Sequence, residues 1–207
     1  MRIRGLVVVL ALVLAACSGG SGGSDDATRA TTTSAPSPTL TGASDLCPWF
    51  RGATTQLTST GPTAPGFLTD ATAGAQGCLD VVTFTFQTRG DGTPPGYTVG
   101  YRNVQIDPFK DGDPPSPIDV PGSAFLEVTV SPGLSSDPSV EGNPPTYLGN
   151  LSLQYGDQHH LEIVRELPDF KTPDGQDAVH WVIGLDEQRP FRVDRAANPP
   201  RVMILIG

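Results

Sequence analysis

Cys17 carries the clearest chemistry in the chain, because it follows Leu14-Ala15-Ala16 at the end of a short apolar run. A thiol in that setting accepts a diacylglyceryl group, and the peptide bond before it is cut, so the mature chain is expected to begin at Cys17. Arg2 and Arg4 form the basic start of the signal, and the apolar stretch Leu6 to Ala16 is 11 residues long. A membrane-spanning helix needs about 20. Residues 1–16 therefore read as a lipoprotein signal peptide, with acyl chains such as palmitate holding Cys17 at the extracytoplasmic face of the cell membrane. At roughly 0.8 kcal/mol per buried methylene, two or more chains anchor stably where one does not. The competing reading is an ordinary secretory signal with a coincidental cysteine.

Cys47 and Cys78 remain as an even pair in an exported chain, which points to a disulfide. Closing a loop of about 32 residues would restrict the unfolded chain by roughly 3–4 kcal/mol. Two free thiols are the alternative. A zinc site is disfavoured because no His or Cys stands at ligand spacing from either residue, and no metal or cofactor is expected.

His159, His160 and His180 are the histidines available for acid–base or metal chemistry. Neighbouring residues on a strand point to opposite faces, so His159 and His160 would not share one compact metal site without a bulge. An enzyme would need His160, His180 and an aspartate to converge, and no HExxH or GxSxG spacing supports that. Locally hydrogen-bonded or solvated histidines are the simpler expectation, with no catalytic residue assigned. Asp186, Arg189 and Arg192 are candidate ligand contacts near the C-terminus. Arg189 is equally suited to pair with Asp186 or bind loop carbonyls, and Arg192 is expected on an outer face with Asp194 and His180.

The elements that must position these groups read almost entirely as strands. From Ser18 to about Ser44 the chain is Gly, Ser, Thr, Ala and Pro with few bulky residues, so residues 17–44 form an expected flexible tether reaching about 30 Å. Residues 45–207 suffice for one domain. Within it Val82, Phe84 and Phe86 alternate with polar residues, as do Tyr97, Val99 and Tyr101, and Leu126, Val128 and Val130. Leu151, Leu153 and Tyr155, then Leu161 and Ile163, then Val179, Trp181, Ile183 and Leu185 continue the pattern. Val202 to Ile206 is apolar throughout and predicts a strand covered on both sides. Asp45 to Gly77 reads as a loose segment stapled by the disulfide, with a short turn of helix between Cys47 and Thr58. Asp186 to Pro190 is expected to be the turn of a β-hairpin whose second strand carries Phe191 and Val193. Pro-Pro and Gly-rich breaks separate the runs. The expected fold is an all-β sandwich of about eight strands.

Thirteen basic against 22 acidic residues give a formal charge of −9, which disfavours nucleic acid as a partner. Eleven arginines against two lysines suggest a GC-rich genome such as an actinobacterium's.

Three stretches carry a resemblance: Gly77 to Phe86 (GCLDVVTFTF), Pro95 to Tyr101 (PGYTVGY), and Trp181 to Val193 (WVIGLDEQRPFRV) followed by Asn198 to Val202 (NPPRV). Together they resemble the AMIN-like domain of actinobacterial lipoproteins over roughly Gly77 to Ile206. The resemblance implies a β-sandwich related to modules that localise envelope proteins by binding peptidoglycan-associated material. The family pattern carries an arginine after the aspartate of its first strand, where this chain has Val81. The function these features imply is a lipid-anchored binding or localisation module of the cell envelope, attached to the membrane through its lipid and engaging peptidoglycan or an envelope protein. A small envelope hydrolase or metal-dependent enzyme, and a carrier of a hydrophobic envelope ligand, are the alternatives.

Overall fold

The computed structural model describes residues 47–102, 120–154 and 158–207. The expected signal peptide, Cys17, the expected tether and Tyr155 lie outside the described residues.

The alternating runs become strands whose apolar residues meet between two sheets. The first sheet comprises β1 (Leu57–Ser59), β4 (Gly96–Arg102), β5 (Ala124–Ser131), β7 (Ser152–Leu153), β8 (Leu161–Lys171) and β9 (Asp177–Leu185), in the order β1-β4-β5-β9-β8-β7. The second comprises β2 (Gly66–Gln76), β3 (Leu79–Thr88), β6 (Gly133–Leu134), β10 (Phe191–Ala196) and β11 (Arg201–Ile206), in the order β10-β11-β3-β2-β6. All pairings are antiparallel except β2 with β6. No described residue is helical. The protein is thus an all-β sandwich.

Period two explains the core directly. Val128 faces Trp181 across the β5–β9 ladder, Val202 faces Phe84 across β11–β3, and all four are fully buried. Phe84 and Trp181 meet between the sheets with ring centroids 5.2 Å apart, and Tyr147 closes on Trp181 edge-on at 5.7 Å. A second, smaller cluster of Val120, Ile163, Leu167 and Val182 lies on the other side of the first sheet. There Gly184 has no freedom to gain a side chain, because a Cβ would collide with the Pro121 carbonyl.

Four expectations need correction. Asp45 to Gly77 is not a loose segment: it supplies β1 and β2, and the chain between Cys47 and Thr58 forms a turn and a bridge from Ala53 to Phe191 in place of a helical turn. β2 escapes a period-two reading because a bulge between Leu68 and Asp70 shifts its inward residues to Leu68 and Ala71. Of the described part of the run Leu151 to Tyr155, Ser152–Leu153 is strand and Leu151 is exposed outside it. β11 is buried on one face: Val202, Ile204 and Ile206 point inward, whereas Met203 and Leu205 are partly exposed. The described residues carry eleven strands; those that the alternation does not show are β1 and β6, too short to register as periodic, and the bulged β2.

The fourth correction concerns the C-terminal block. Leu185 and Phe191 do enter one core, but β9 and β10 are not a hairpin. β5 and β8 already occupy both edges of β9, so the chain has no free edge to fold back on and crosses to the other sheet. Asp186 to Pro190 is the corner of the sandwich. Cys47 and Cys78 are joined, with Cα atoms 5.6 Å apart, and fasten the start of the domain to the turn preceding β3.

Candidate functional site

The corner turns where it does because polar groups there are satisfied only when both sheets are in place. Asp80, at the start of β3, is fully buried. Its Oδ2 accepts the backbone N–H groups of His160 at 2.7 Å and Leu161 at 2.9 Å, and its Oδ1 accepts that of His159 at 2.9 Å. One carboxylate of the second sheet therefore caps the beginning of β8 in the first. His160 in turn brings Nδ1 to 3.2 Å from Asp186 Oδ2, while the Asp186 N–H donates to the His160 carbonyl at 2.9 Å.

Arg189 completes the arrangement. Its guanidinium reaches Asp186 Oδ2 at 3.0 Å and Glu187 Oε1 at 2.7 Å. Its backbone is held by Tyr101, whose hydroxyl accepts the Arg189 N–H at 2.8 Å and donates to the Arg189 carbonyl at 2.7 Å. Burial pushes the Asp186 carboxyl upward, but hydrogen bonds from Arg189, His160 and the Glu187 N–H outweigh it and leave the group below the usual carboxylate range. Burial raises the Tyr101 hydroxyl to about 12 against the opposing effects of Arg189. The sequence pairing of Asp186 with Arg189 is thus realised. The Asp80 and Tyr101 contributions were not legible, since their partners are about 80 or more residues away, and His160 reaches Asp186 across 26 residues.

His180 lies elsewhere. On the outer face of β9 its Nε2 is 2.5 Å from Glu127 Oε1, and Arg102 binds the other Glu127 oxygen. Burial raises the Glu127 carboxyl, but His180 and Arg102 pull it below its ordinary value. Six residues of extended strand, about 20 Å at 3.3 Å per residue, separate His180 from the corner, so His160 and His180 do not converge on one aspartate. His159 and His160 occupy a bend before β8, and His159 Nε2 contacts the Gly77 carbonyl at 2.9 Å.

Arg192 pairs with Asp194 at 2.9 Å on the outer face of β10, as the alternation predicts, but His180 belongs to the opposite sheet and does not join them. Register places Arg192, Leu205 and Val81 in one outward row of the second sheet, Asp194, Met203, Thr83 and Thr72 in the next, and Arg201, Thr85 and Asp70 in a third. On this face Val81, Met203 and Leu205 are partly exposed between threonines. The Arg201 Nε is buried there without a hydrogen-bond partner. A cleft of about 540 Å³ opens beside this face between Thr69, Thr85, Gln87 and Asn198.

The chain is thus an all-β sandwich with a polar corner at the C-terminal block. A family model, the AMIN-like domain, matches residues 66–206, and the chain belongs to that family. No curated protein and no solved structure matches the chain.

Proposed function

We propose that this chain is a non-catalytic binding module of the cell envelope, tethered through lipid on Cys17 at the extracytoplasmic face of the membrane, that engages peptidoglycan or polymer associated with it. The observation that carries the reading is the mixed polar and apolar outer face of the second sheet. Its threonines offer hydroxyls, Val81, Met203 and Leu205 offer apolar contact, and Arg201 is a partly exposed cation on the same face. Such a mixture suits an extended polymer bearing hydroxyl, amide and carboxylate groups. Membership of the AMIN-like family supports the same reading. The polar corner serves as scaffold, since the carboxylates and guanidinium in it are turned on one another.

Sedimentation of the full chain with purified peptidoglycan tests the surface. Arg201→Ala combined with Met203→Ser should weaken retention at least fivefold while leaving the melting temperature within a few degrees, and unchanged retention would remove the face from the reading. Anchoring is tested separately. Cys17→Ala should shift the protein out of the detergent phase or leave it as an uncleaved precursor, and a mature membrane-bound form of that variant would refute lipidation.

A further inference from the structure

The loop from β6 to β7 and the margin of β8 enclose a groove of about 370 Å³ lined by Ser135, Leu151, Glu166, Leu167, Pro168 and Asp169. Its rim is apolar. Leu151 in the wall is 62% exposed, and Leu148, three residues earlier on the same loop, is 83% exposed. Adjacent uncovered leucines on a loop are the kind of apolar surface that partners cover.

The floor of the groove is acidic, and among the described residues no cationic side chain lines it. Glu166 stands opposite Trp181 in the β8–β9 ladder and is only partly exposed. Its side chain makes no hydrogen bond or ion pair among the described residues. Other partly or fully buried carboxylates there are provided for: Glu127 by His180 and Arg102, Asp186 by Arg189 and His160, Asp137 by Arg89, and Asp80 by three backbone N–H groups. Asp169 is held in place by Ser135, whose hydroxyl and N–H donate to Oδ2 at 2.5 Å and 3.3 Å. Two positioned acids beneath an apolar rim are complementary to one kind of occupant.

We propose that this groove docks a segment of a partner protein that presents an arginine or lysine beside an aliphatic side chain, with the cation between Glu166 and Asp169 and the aliphatic group against Leu148 and Leu151. A planar guanidinium matches paired carboxylates best. An anionic lipid surface is repelled by the same acids and by the net charge of −9. None of the groove's lining residues belongs to the outward rows of the second sheet, so the site stands or falls independently of polymer binding there.

Burial, and then repulsion from Asp169, push the Glu166 carboxyl up to about 7. Lost hydration also raises Asp169, against the pull of Ser135 and of His180 on β9, while Asp177 on β9 adds to the rise. Lys171 is engaged with Asp177 at 2.6 Å and His180 with Glu127; Arg165 flanks Glu166 on the same strand. Occupancy by a cation therefore strengthens as Glu166 ionises. For a group with a pKa near 7 the ionised fraction rises about tenfold from pH 6 to pH 8.

The test titrates the full chain in maltoside micelles with the blocked tripeptide Leu-Arg-Leu and with its neutral isostere Leu-citrulline-Leu. The arginine peptide should bind at least tenfold more tightly than the citrulline peptide, and about tenfold more tightly at pH 8 than at pH 6. Glu166→Gln should abolish both differences while melting no lower than the parent, and Asp169→Asn should reduce the first. Equal binding of the two peptides, absence of binding by either, or a pH dependence that survives Glu166→Gln would overturn the proposal. Binding to phosphatidylcholine vesicles in place of the peptides would overturn the assignment to a protein partner.

Discussion

Asp80→Asn is the most demanding test of the corner, because it changes one charge and almost no volume. The carboxylate accepts three backbone N–H groups from His159, His160 and Leu161 and is fully buried. An amide offers a single acceptor oxygen, and its NH2 must then face donors. With the oxygen at the Oδ2 position the His160 and Leu161 bonds persist without charge assistance, while the His159 N–H and the new NH2 confront each other. Each buried group left unsatisfied costs about 1–3 kcal/mol, and the weakened bonds add to that. The expected loss is about 3–5 kcal/mol out of a total near 5–15. For a domain of this size that corresponds to a fall in Tm of roughly 10 °C. Urea and thermal denaturation with the disulfide intact would measure it, and amide exchange should lose protection first at His160 and Leu161. A loss under about 1 kcal/mol would refute the idea that this carboxylate ties the two sheets together.

Replacing Cys47 and Cys78 together by serine should cost about 3–4 kcal/mol in urea denaturation, from the roughly 32-residue loop released in the unfolded chain, with the far-ultraviolet spectrum retained. Trp181→Ala removes the largest fully buried side chain and should cost about 3–5 kcal/mol, whereas Arg192→Ala should stay within about 0.5 kcal/mol, because its pair with Asp194 is solvent-exposed. Glu166 has a folded pKa raised above the unfolded value, so its contribution favours folding below about pH 4.5 and is lost as pH rises toward 7. Stability should therefore decline by about 1–2 kcal/mol over that interval after allowance for partial exposure, and Glu166→Gln should flatten the decline; an unchanged slope in denaturation midpoints would show that Glu166 is fully solvated. Gly184→Ala should destabilise by more than about 1 kcal/mol through collision with the Pro121 carbonyl, and a neutral effect would show that Val120 and Pro121 move freely over β9.

Alternation of apolar and polar residues determined the all-β class, most of the long strands and the inward faces of β3, β4, β5 and β9, because side-chain direction in a strand is a local property of period two. Cysteine parity in an exported chain determined the disulfide, and the three-residue spacing of Asp186 and Arg189 brought a pair within reach by local geometry. Tertiary structure alone decided that β9 and β10 belong to different sheets, since that depends on which strands flank β9 and not on the residues of the turn. It alone revealed β2, where a bulge breaks the period and the inward residues are small. It also decided that the Asp80 carboxylate meets N–H groups about 80 residues away, and that Glu166 sits beside Asp169 in a groove lined by no cationic side chain among the described residues. A sequence records which residues alternate, but the desolvation and partnering of a charge are set by whatever the fold brings alongside it.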